Sequence, residues 1–320
     1  MSINSVGKNI ACIRGKVVAV FGDLMLDEYI IGNVDRISPE APVPIVDIMS
    51  REYRLGGAAN VAANIKALGS TPILLSVIGS DSAAGKIREL LTSCDISSRI
   101  LCENRPTTIK TRIVAHNQQL VRMDEEIKTP ISQDTELKMI ELSSEVIPEC
   151  DIILISDYAK GAITERVIRH IIELSQKTGK PIIADPKRLF DFYKGVKLIT
   201  PNELELNRLS GLKINEEQKI KNLIHALDFD ALLVTRGEKG MVLFTRNEKY
   251  IIPAICSHEE VADVTGAGDT VLAVIGLGIA GGFDISESVN LANVAAGLKV
   301  RKFGTVPIRY EELENEIMGK

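Results

Sequence analysis

The chain has 320 residues, 45 % of them hydrophobic and 25 % charged, and a formal net charge of −5. That balance is the balance of a folded globular chain, not a disordered one, and the length suits one large domain or two ordinary ones. The acidic surplus and the absence of tryptophan argue against the basic, aromatic-studded surface that binds nucleic acid.

Met1 to Lys8 contains no apolar signal core, so secretion is not expected. Val17-Val18-Ala19-Val20-Phe21 is an unbroken apolar run ending at Gly22-Asp23, which suits a strand buried on both faces. From Gly32 to Gly56 the chain carries Pro39, Pro42 and Pro44 and alternates around Val43, Ile45 and Ile48, the period of exposed or edge strands. Ala58, Val61, Ala62, Ile65 and Leu68 then recur at helical spacing until Gly69. Ile73 to Ile78 reads as strand and Ala83 to Leu91 as helix, and Thr107 to Ala115 with Gln119 to Met123 reads as a hairpin. A helix is expected at 133–147, a strand at 152–155, a helix at 164–177, and strands at 181–184 and 197–200. Helices at 203–209 and 216–227 precede strands at 231–235, 241–244 and 249–252, and the end is helical at 268–281, 286–300 and 310–318.

Strands alternating with helices predict an α/β fold, a doubly wound and mostly parallel sheet covered on both faces. Segments 30–55 and 105–124 break the rhythm and read as antiparallel ribbons. The expectation is one domain over 1–320 with a small β-strand lid made from these two excursions. The apolar run near 270–283 is broken by glycines and falls short of the ~20 residues a membrane span needs, so it predicts a buried core helix. Cysteines 12, 94, 102, 150 and 256 form no C-x-x-C pair, and His116, His170, His225 and His258 are scattered. Zinc is therefore not expected, and free thiols in a reducing cytoplasm are.

Ligands of a doubly wound sheet gather at the carboxyl ends of its strands. Polar clusters fall at five such ends: Asp23 with Asp27, Ser156-Asp157-Tyr158-Ala159-Lys160-Gly161, Asp185-Pro186-Lys187, Asn202-Glu203-Leu204-Glu205, and Thr235 to Gly240. Near the end, Asp263-Val264-Thr265-Gly266-Ala267-Gly268-Asp269-Thr270 opens an apolar helix. Glycines at a helix start can turn N–H groups toward one point and make a socket for a phosphoryl group. Two readings fit Asp269: an ordinary helix N-cap, or a carboxylate set inside that socket for chemistry.

Three of these features together resemble the ribokinase-like sugar kinase family: Gly56-Gly57-Ala58-Ala59-Asn60, Asn202-x-x-Glu205, and Asp263 to Asp269, in an order that spans nearly the whole chain. A finer resemblance lies in Arg36-Ile-Ser-Pro-Glu-Ala-Pro-Val-Pro44, Asn117-Gln-Gln-Leu-Val-Arg-Met-Asp124 and Ser156 to Gly161. It points to the branch that phosphorylates D-glycero-β-D-manno-heptose 7-phosphate at the anomeric hydroxyl for nucleotide-heptose synthesis. In many bacteria that branch is joined to a nucleotidylyltransferase. No His-x-Gly-His motif occurs in this sequence, so that second activity is not expected here.

The resemblance implies ATP and Mg2+ as cofactors. Asp269 would take the proton of the attacking hydroxyl, while the N–H groups of Gly266, Ala267 and Gly268 hold the charge developing on the phosphoryl group. With a reference pKa of about 3.9, that aspartate is expected to be ionised at neutral pH. Asn202 and Glu205, with Glu203 and Leu204 between them, would organise magnesium and phosphates; an Asn cap followed by a surface Glu fits the same four residues. Asp185 and Lys187 would lie near those phosphates, Thr235, Arg236, Gly237 and Gly240 in the nucleotide loop, and Asn293 in the adenine pocket or in a structural role. A potassium ion behind the cradle would draw on Asp263, Thr265 and the carbonyls of Lys299, Lys302 and Gly304, with Ile308 standing where ribokinase has a Ser ligand. Asp27, Gly56, Gly57 and Asn60 would hold the sugar. Lys110 and Arg112 alternate onto one face of a lid strand, where they suit either a substrate phosphate or a solvated edge. Lys160 is a further candidate for that phosphate or for a hydroxyl. Partners are thus a sugar phosphate and ATP, with no nucleic acid and no membrane, and pairing of two lids would give a homodimer. Another sugar or nucleoside kinase, or a catalytically silent sugar-binding regulator, is the alternative.

Overall fold

The computed structural model describes residues 9–116 and 118–319; Met1 to Lys8, and Asn117 of the lid motif, lie outside the described residues. The strands are β1 (Val17–Gly22), β2 (Leu24–Ile37), β3 (Pro44–Gly57), β4 (Thr71–Ile78), β5 (Ser97–Cys102), β6 (Ile109–Ala115), β7 (Gln118–Glu125), β8 (Ile152–Ser156), β9 (Ile182–Asp185), β10 (Leu198–Ile199), β11 (Ala231–Thr235), β12 (Met241–Thr245) and β13 (Lys249–Ile252). The helices are α1 (Ala58–Ala67), α2 (Ser82–Ser93), α3 (Gln133–Val146), α4 (Glu165–Thr178), α5 (Glu203–Ser210), α6 (Glu217–Ala226), α7 (Ala267–Ala280), α8 (Ile285–Val300) and α9 (Tyr310–Met318).

Because successive side chains of a strand point to opposite faces, an unbroken apolar strand feeds two cores at once. Val18 and Val20 of β1 join one core, together with buried residues of α1, α2, α7, α8 and α9. Ala19 and Phe21 join the other, against α3, α4, α5 and α6. Among the described residues nine strands form the large sheet, in the order β13-β12-β11-β10-β9-β8-β1-β4-β5. Pairing is parallel from β5 through β11 and antiparallel at β12 and β13. This is the doubly wound α/β architecture expected from the alternation of elements. The β5 strand was not among the expected elements. Its Ser-Ser-Arg start and half-exposed edge position give it no apolar run to recognise.

Among the described residues the two excursions meet in a four-stranded second sheet, β3-β2-β6-β7. Each ribbon is antiparallel, as expected, but they join through a parallel β2–β6 pairing that sets Asp27 beside Lys110. The first ribbon begins at Leu24, six residues before the expected start at 30, because the proximal half of β2 is buried and the Leu24 N–H donates to Ser76 Oγ at 3.2 Å. Its distal half is exposed. The lid is therefore anchored at the carboxyl end of β1, over the rim where the polar clusters lie. Among the described residues no helix is long and apolar enough to cross a membrane, and α7 is buried from Asp269 to Gly278.

Candidate active site

The helix α7 starts after Gly266, whose φ of 78° lies in the left-handed region that favours glycine. A Cβ at Gly266 would also stand 2.6 Å from Asn60 Nδ2, so a side chain is excluded on two grounds. The turn leaves the first amides of the helix facing outward, as helix starts do. Of the three amides expected to form the cradle, that of Ala267 already donates to Val264 O at 3.2 Å. Within this first turn, Asp269 is 3 % exposed. Its carboxylate accepts from Asn60 Nδ2 at 2.8 Å and from Tyr158 OH at 2.8 Å. Residues 209 positions apart in the chain thus meet directly.

Asn60 is delivered by the turn between β3 and α1. Gly57 has a φ of 57°, and a Cβ there would meet the Asp23 carbonyl at 2.4 Å. At Gly56 a Cβ would stand 2.7 Å from Asp27 Oδ2. Behind Asn60, Asn64 Oδ1 accepts from Thr270 Oγ1 and from the Ile308 N–H, both at 3.3 Å, and ties α1 to α7. Tyr158 comes from the loop after β8. That loop winds around Asp23, whose carboxylate accepts the N–H groups of Tyr158, Lys160 and Ala162 at 2.8–3.0 Å. Asp23, expected at the rim for ligand work, is thus a scaffold for its neighbours.

Burial corrects the expectation that Asp269 is simply ionised at neutral pH. Loss of solvent disfavours the charge and pushes its pKa up to about 7, against the opposing hydrogen bonds from Asn60 and Tyr158. A carboxyl poised near neutrality suits a general base better than a fully exposed one.

Beside it, Asp185 and Glu205 share one ammonium. Lys187 Nζ lies 3.1 Å from Asp185 Oδ2 and 2.9 Å from Glu205 Oε1. It also sits over the Tyr158 ring, 5.5 Å from the centroid. Burial raises Asp185 to about 6, with Lys187 opposing and Glu205 adding to the rise. For Lys187, burial disfavours the charge, but the two carboxylates outweigh it and hold its pKa above the ordinary value. Asn202 and Glu205 form a capping box at the start of α5: Asn202 Oδ1 accepts from the Glu205 N–H, and Glu205 Oε2 accepts from the Asn202 N–H, each at 2.9 Å. The cap bonds are therefore present at Asn202, yet Glu205 is not a surface residue. Leu204 projects outward, 83 % exposed.

The nucleotide-loop candidates gather next to this turn. Asn202 bridges to Thr235, Arg236 Nε lies 3.2 Å from Glu203 Oε2, and the Arg236 N–H donates to Gly240 O at 2.9 Å. Gly240 is packed too closely for a side chain, with a virtual Cβ 2.1 Å from Ile252 O. Asn293, on α8, donates to Pro253 O at 2.8 Å at the end of β13.

The lid cations do not act as a pair. Arg112 is buried and bonds Asp27 Oδ1 at 2.6 Å, which occupies one of the oxygens expected to hold a sugar hydroxyl. Lys110 Nζ instead meets Asp124 at 3.0 Å and Glu126 at 3.5 Å, and Lys160 Nζ meets the same Glu126 at 2.7 Å. Two lysines, one from strand β6 and one from the loop after β8, thus converge on one carboxylate.

Behind the cradle, Asp263 accepts from the Thr265 N–H and hydroxyl on Oδ1, at 2.9 and 2.7 Å, and from the Gly304 N–H on Oδ2, at 2.9 Å. Burial would raise its pKa, but these hydrogen bonds prevail and hold it low. Lys299, in the last turn of α8, is fully buried, and its Nζ donates to Lys302 O at 3.4 Å. Burial pulls its pKa down to about 8 against the attraction of Asp263.

Three residues of this site were not singled out from the sequence. Tyr158 stood inside a quoted cluster, and its position just past a strand end was the available signal. Glu126 and the Lys299 side chain left no local signal, since their partners come from distant segments.

Over residues 16–311 the chain matches the family described as pfkB family carbohydrate kinase. It is 42 % identical over 301 residues to the bifunctional protein HldE of a Nitratiruptor species, a match covering 93 % of this chain and 64 % of that protein. To the HldE of Geotalea uraniireducens it is 41 % identical over 306 residues, covering 93 % and 62 %. The chain therefore spans less than two thirds of the length of these relatives. Among solved structures, Arabidopsis thaliana ribokinase complexed with ribose and ATP superposes with a TM-score of 0.73 at 22 % identity, covering 95 % of this chain and 99 % of that one. The phosphofructokinase-2 from Escherichia coli in complex with potassium gives 0.78 at 17 %, covering 96 % and 99 %. Both likenesses show the fold, a ribokinase-like α/β fold with a large, mostly parallel sheet and a small separate one.

Proposed function

The chain belongs to the pfkB family of carbohydrate kinases, phosphotransferases acting on a sugar hydroxyl, and from that premise we propose that it phosphorylates the anomeric hydroxyl of D-glycero-β-D-manno-heptose 7-phosphate. The product would be heptose 1,7-bisphosphate, for nucleotide-heptose and lipopolysaccharide core synthesis in the cytoplasm. The similarity to two HldE proteins supports the substrate. The observation that carries the reading is the 2.8 Å contact between Asn60 and Asp269. It joins the Gly56-Gly57 segment, where the sugar would sit, to the amide cradle, where the phosphoryl group would sit.

Phosphoryl transfer needs positioning and charge stabilisation more than covalent help from the protein. Asn60 and Tyr158 fix both oxygens of Asp269. The carboxylate accepts the proton of the anomeric hydroxyl as that oxygen attacks the γ-phosphorus of ATP, and ADP leaves. Amides at the start of α7, at Gly266 and Gly268, face the charge on the transferring group. Lys187 would hold the ATP phosphates, and the Thr235–Gly240 loop and Asn293 would hold the nucleotide. Asp185 and Glu205 are two nearly buried carboxylates with one ammonium between them, a donor set with charge to spare that fits a divalent cation. Magnesium held there with Asn202 would supply neutralisation of the phosphate charge. Lys110 and Lys160, converging on Glu126, are the seat for the 7-phosphate, which would displace that carboxylate. We treat 1–320 as one kinase domain with its lid near 30–55 and 105–124. The exposed apolar lid residues Ile37, Ile48, Met49, Leu120, Val121 and Met123 are the surface through which two lids would pair in a homodimer.

The test is purified protein with ATP, magnesium and a panel of sugars, read by product mass. Heptose 1,7-bisphosphate is the expected product. Turnover of ribose or fructose 6-phosphate, with none of the heptose phosphate, would overturn the substrate. Binding of sugar without turnover of any would mean a silent regulator.

A further inference from the structure

A monovalent cation behind the cradle would draw on Asp263, Thr265 and the carbonyls of Lys299, Lys302 and Gly304, and the structure already engages Asp263 and all three of these carbonyls in hydrogen bonds of their own. Asp263 is engaged by Thr265 and Gly304 on its two oxygens. The Lys299 carbonyl accepts from the Arg301 and Lys302 N–H groups, and the Gly304 carbonyl from the Val306 N–H at 2.9 Å. The Lys302 carbonyl accepts from the Lys299 ammonium itself.

That ammonium is unusual by its burial. A lysine with no exposed surface is rare, because an ion removed from water is costly unless opposite charge or polar oxygens face it. Its Nζ donates to the Lys302 carbonyl, and the negative charges that act on it from further off are Asp263, in the loop before the cradle, and Asp269, in the first turn of α7. Arg54, donating to Phe303 O at 2.6 Å, and Lys302 bring further positive charge to the same corner. A second cation close to the ammonium would be repelled by it. At about 4 Å and an effective dielectric near 20, two unit charges repel enough to weaken ion binding roughly a thousandfold.

We propose that the Lys299 ammonium is the resident cation of this corner, doing for Asp263 and the surrounding carbonyls what a monovalent metal ion would do, so that the enzyme requires no potassium. The chemistry is equivalent where it counts: one positive charge facing oxygens, held in place by the fold and not drawn from solution. The ammonium steadies the loop that shapes the cradle and touches no substrate, which makes Lys299 a positioning residue. Its catalytic consequence rests on the kinase reading above; its role as the site's cation does not.

The test uses the full chain at matched ionic strength in potassium chloride or choline chloride. The thermal midpoint of the native protein should be the same in both salts. Lys299→Ala opens the place for an ion, and potassium should then raise its midpoint by about 2 °C or more, as a ligand of the native state does. In turnover assays the native rate should change less than about twofold between the salts. Lys299→Ala should lose about tenfold or more in choline and regain most of it in potassium. Activation or thermal stabilisation of the native protein by potassium would overturn the proposal, and so would a Lys299→Ala protein indifferent to potassium in both assays. If Lys299→Ala does not fold, Lys299→Ser, which opens the same place, is read in the same two assays, and the native protein's response to potassium still decides. Failure of the kinase reading would abolish turnover but leave the thermal comparison intact, so the two failures are distinguishable.

Discussion

Tyr158→Phe removes one of the two donors to Asp269 and keeps the ring that Lys187 covers. The tyrosine is a dependable donor across the working range, since burial and the neighbouring Asp269 raise its own pKa far above the ordinary value. A hydrogen bond to the ionised carboxylate favours the charged form, so its loss raises the pKa of Asp269 from about 7. A bond to a charged group contributes about 1.5–3 kcal/mol, which moves the midpoint to roughly 8–9. At pH 7 the native carboxyl is about half ionised; in the variant the ionised share falls to roughly 1–10 %. The kcat/KM for the sugar should therefore drop roughly 5- to 50-fold at pH 7 and recover as the pH is raised through the new midpoint. A pH profile of kcat/KM is the assay. A loss of the same size at every pH, with the acid limb unmoved, would refute the assignment of Tyr158 as the group that sets the ionisation of Asp269.

Other perturbations separate the parts of the site. Arg112→Ala leaves the buried Asp27 carboxylate without its partner and should cost about 3–5 kcal/mol in denaturant unfolding, with part of the loss recovered in the Asp27→Ala/Arg112→Ala double variant. Gly266→Ala puts a methyl 2.6 Å from Asn60 Nδ2 on a left-handed backbone; about 1–2 kcal/mol of stability and on the order of 10²-fold in kcat should be lost, and an unchanged kcat would contradict the part given to the Asn60–Asp269 bond. Lys110→Ala or Lys160→Ala should raise the KM for a phosphorylated sugar about tenfold and leave that for ATP unchanged, whereas Glu126→Gln, which frees Lys160 and leaves Lys110 with Asp124 alone, should lower it. Equal shifts for both substrates would assign these residues to the lid's structure alone.

Much of this architecture is legible in the sequence because buried parallel strands have nowhere to put a polar side chain. The runs at 17–21 and 152–155 read as strands for that reason, and the alternation at 107–115 reads as a one-sided ribbon. Where the physics is set by distant partners, the reading stops short. Ser97 to Cys102 becomes a strand only because β4 offers its edge. Asn202 and Glu205 could be read as cap or as ligand, and only the folded chain shows the cap bonds together with the burial of Glu205 against Lys187. The ionisation of Asp269 cannot follow from a reference pKa, because its shift comes from burial among segments far apart in sequence. Lys299 sits between Leu298 and Val300 as an ordinary helical lysine would, and neither its burial nor its bond to the Lys302 carbonyl is visible in that local sequence.

The central claim is that Asp269 accepts the proton from the sugar hydroxyl at the junction of early and late segments, and Asp269→Asn measures it most directly. The amide keeps the side chain's shape, and removing a positioned general base typically costs about 10²–10⁴-fold in rate. With sugar binding followed by calorimetry alongside turnover, the expected result is a kcat reduced by that factor and an affinity for the sugar phosphate within a few-fold of native. A variant that turns over at the native rate, or one that loses sugar binding and rate together, would contradict the account.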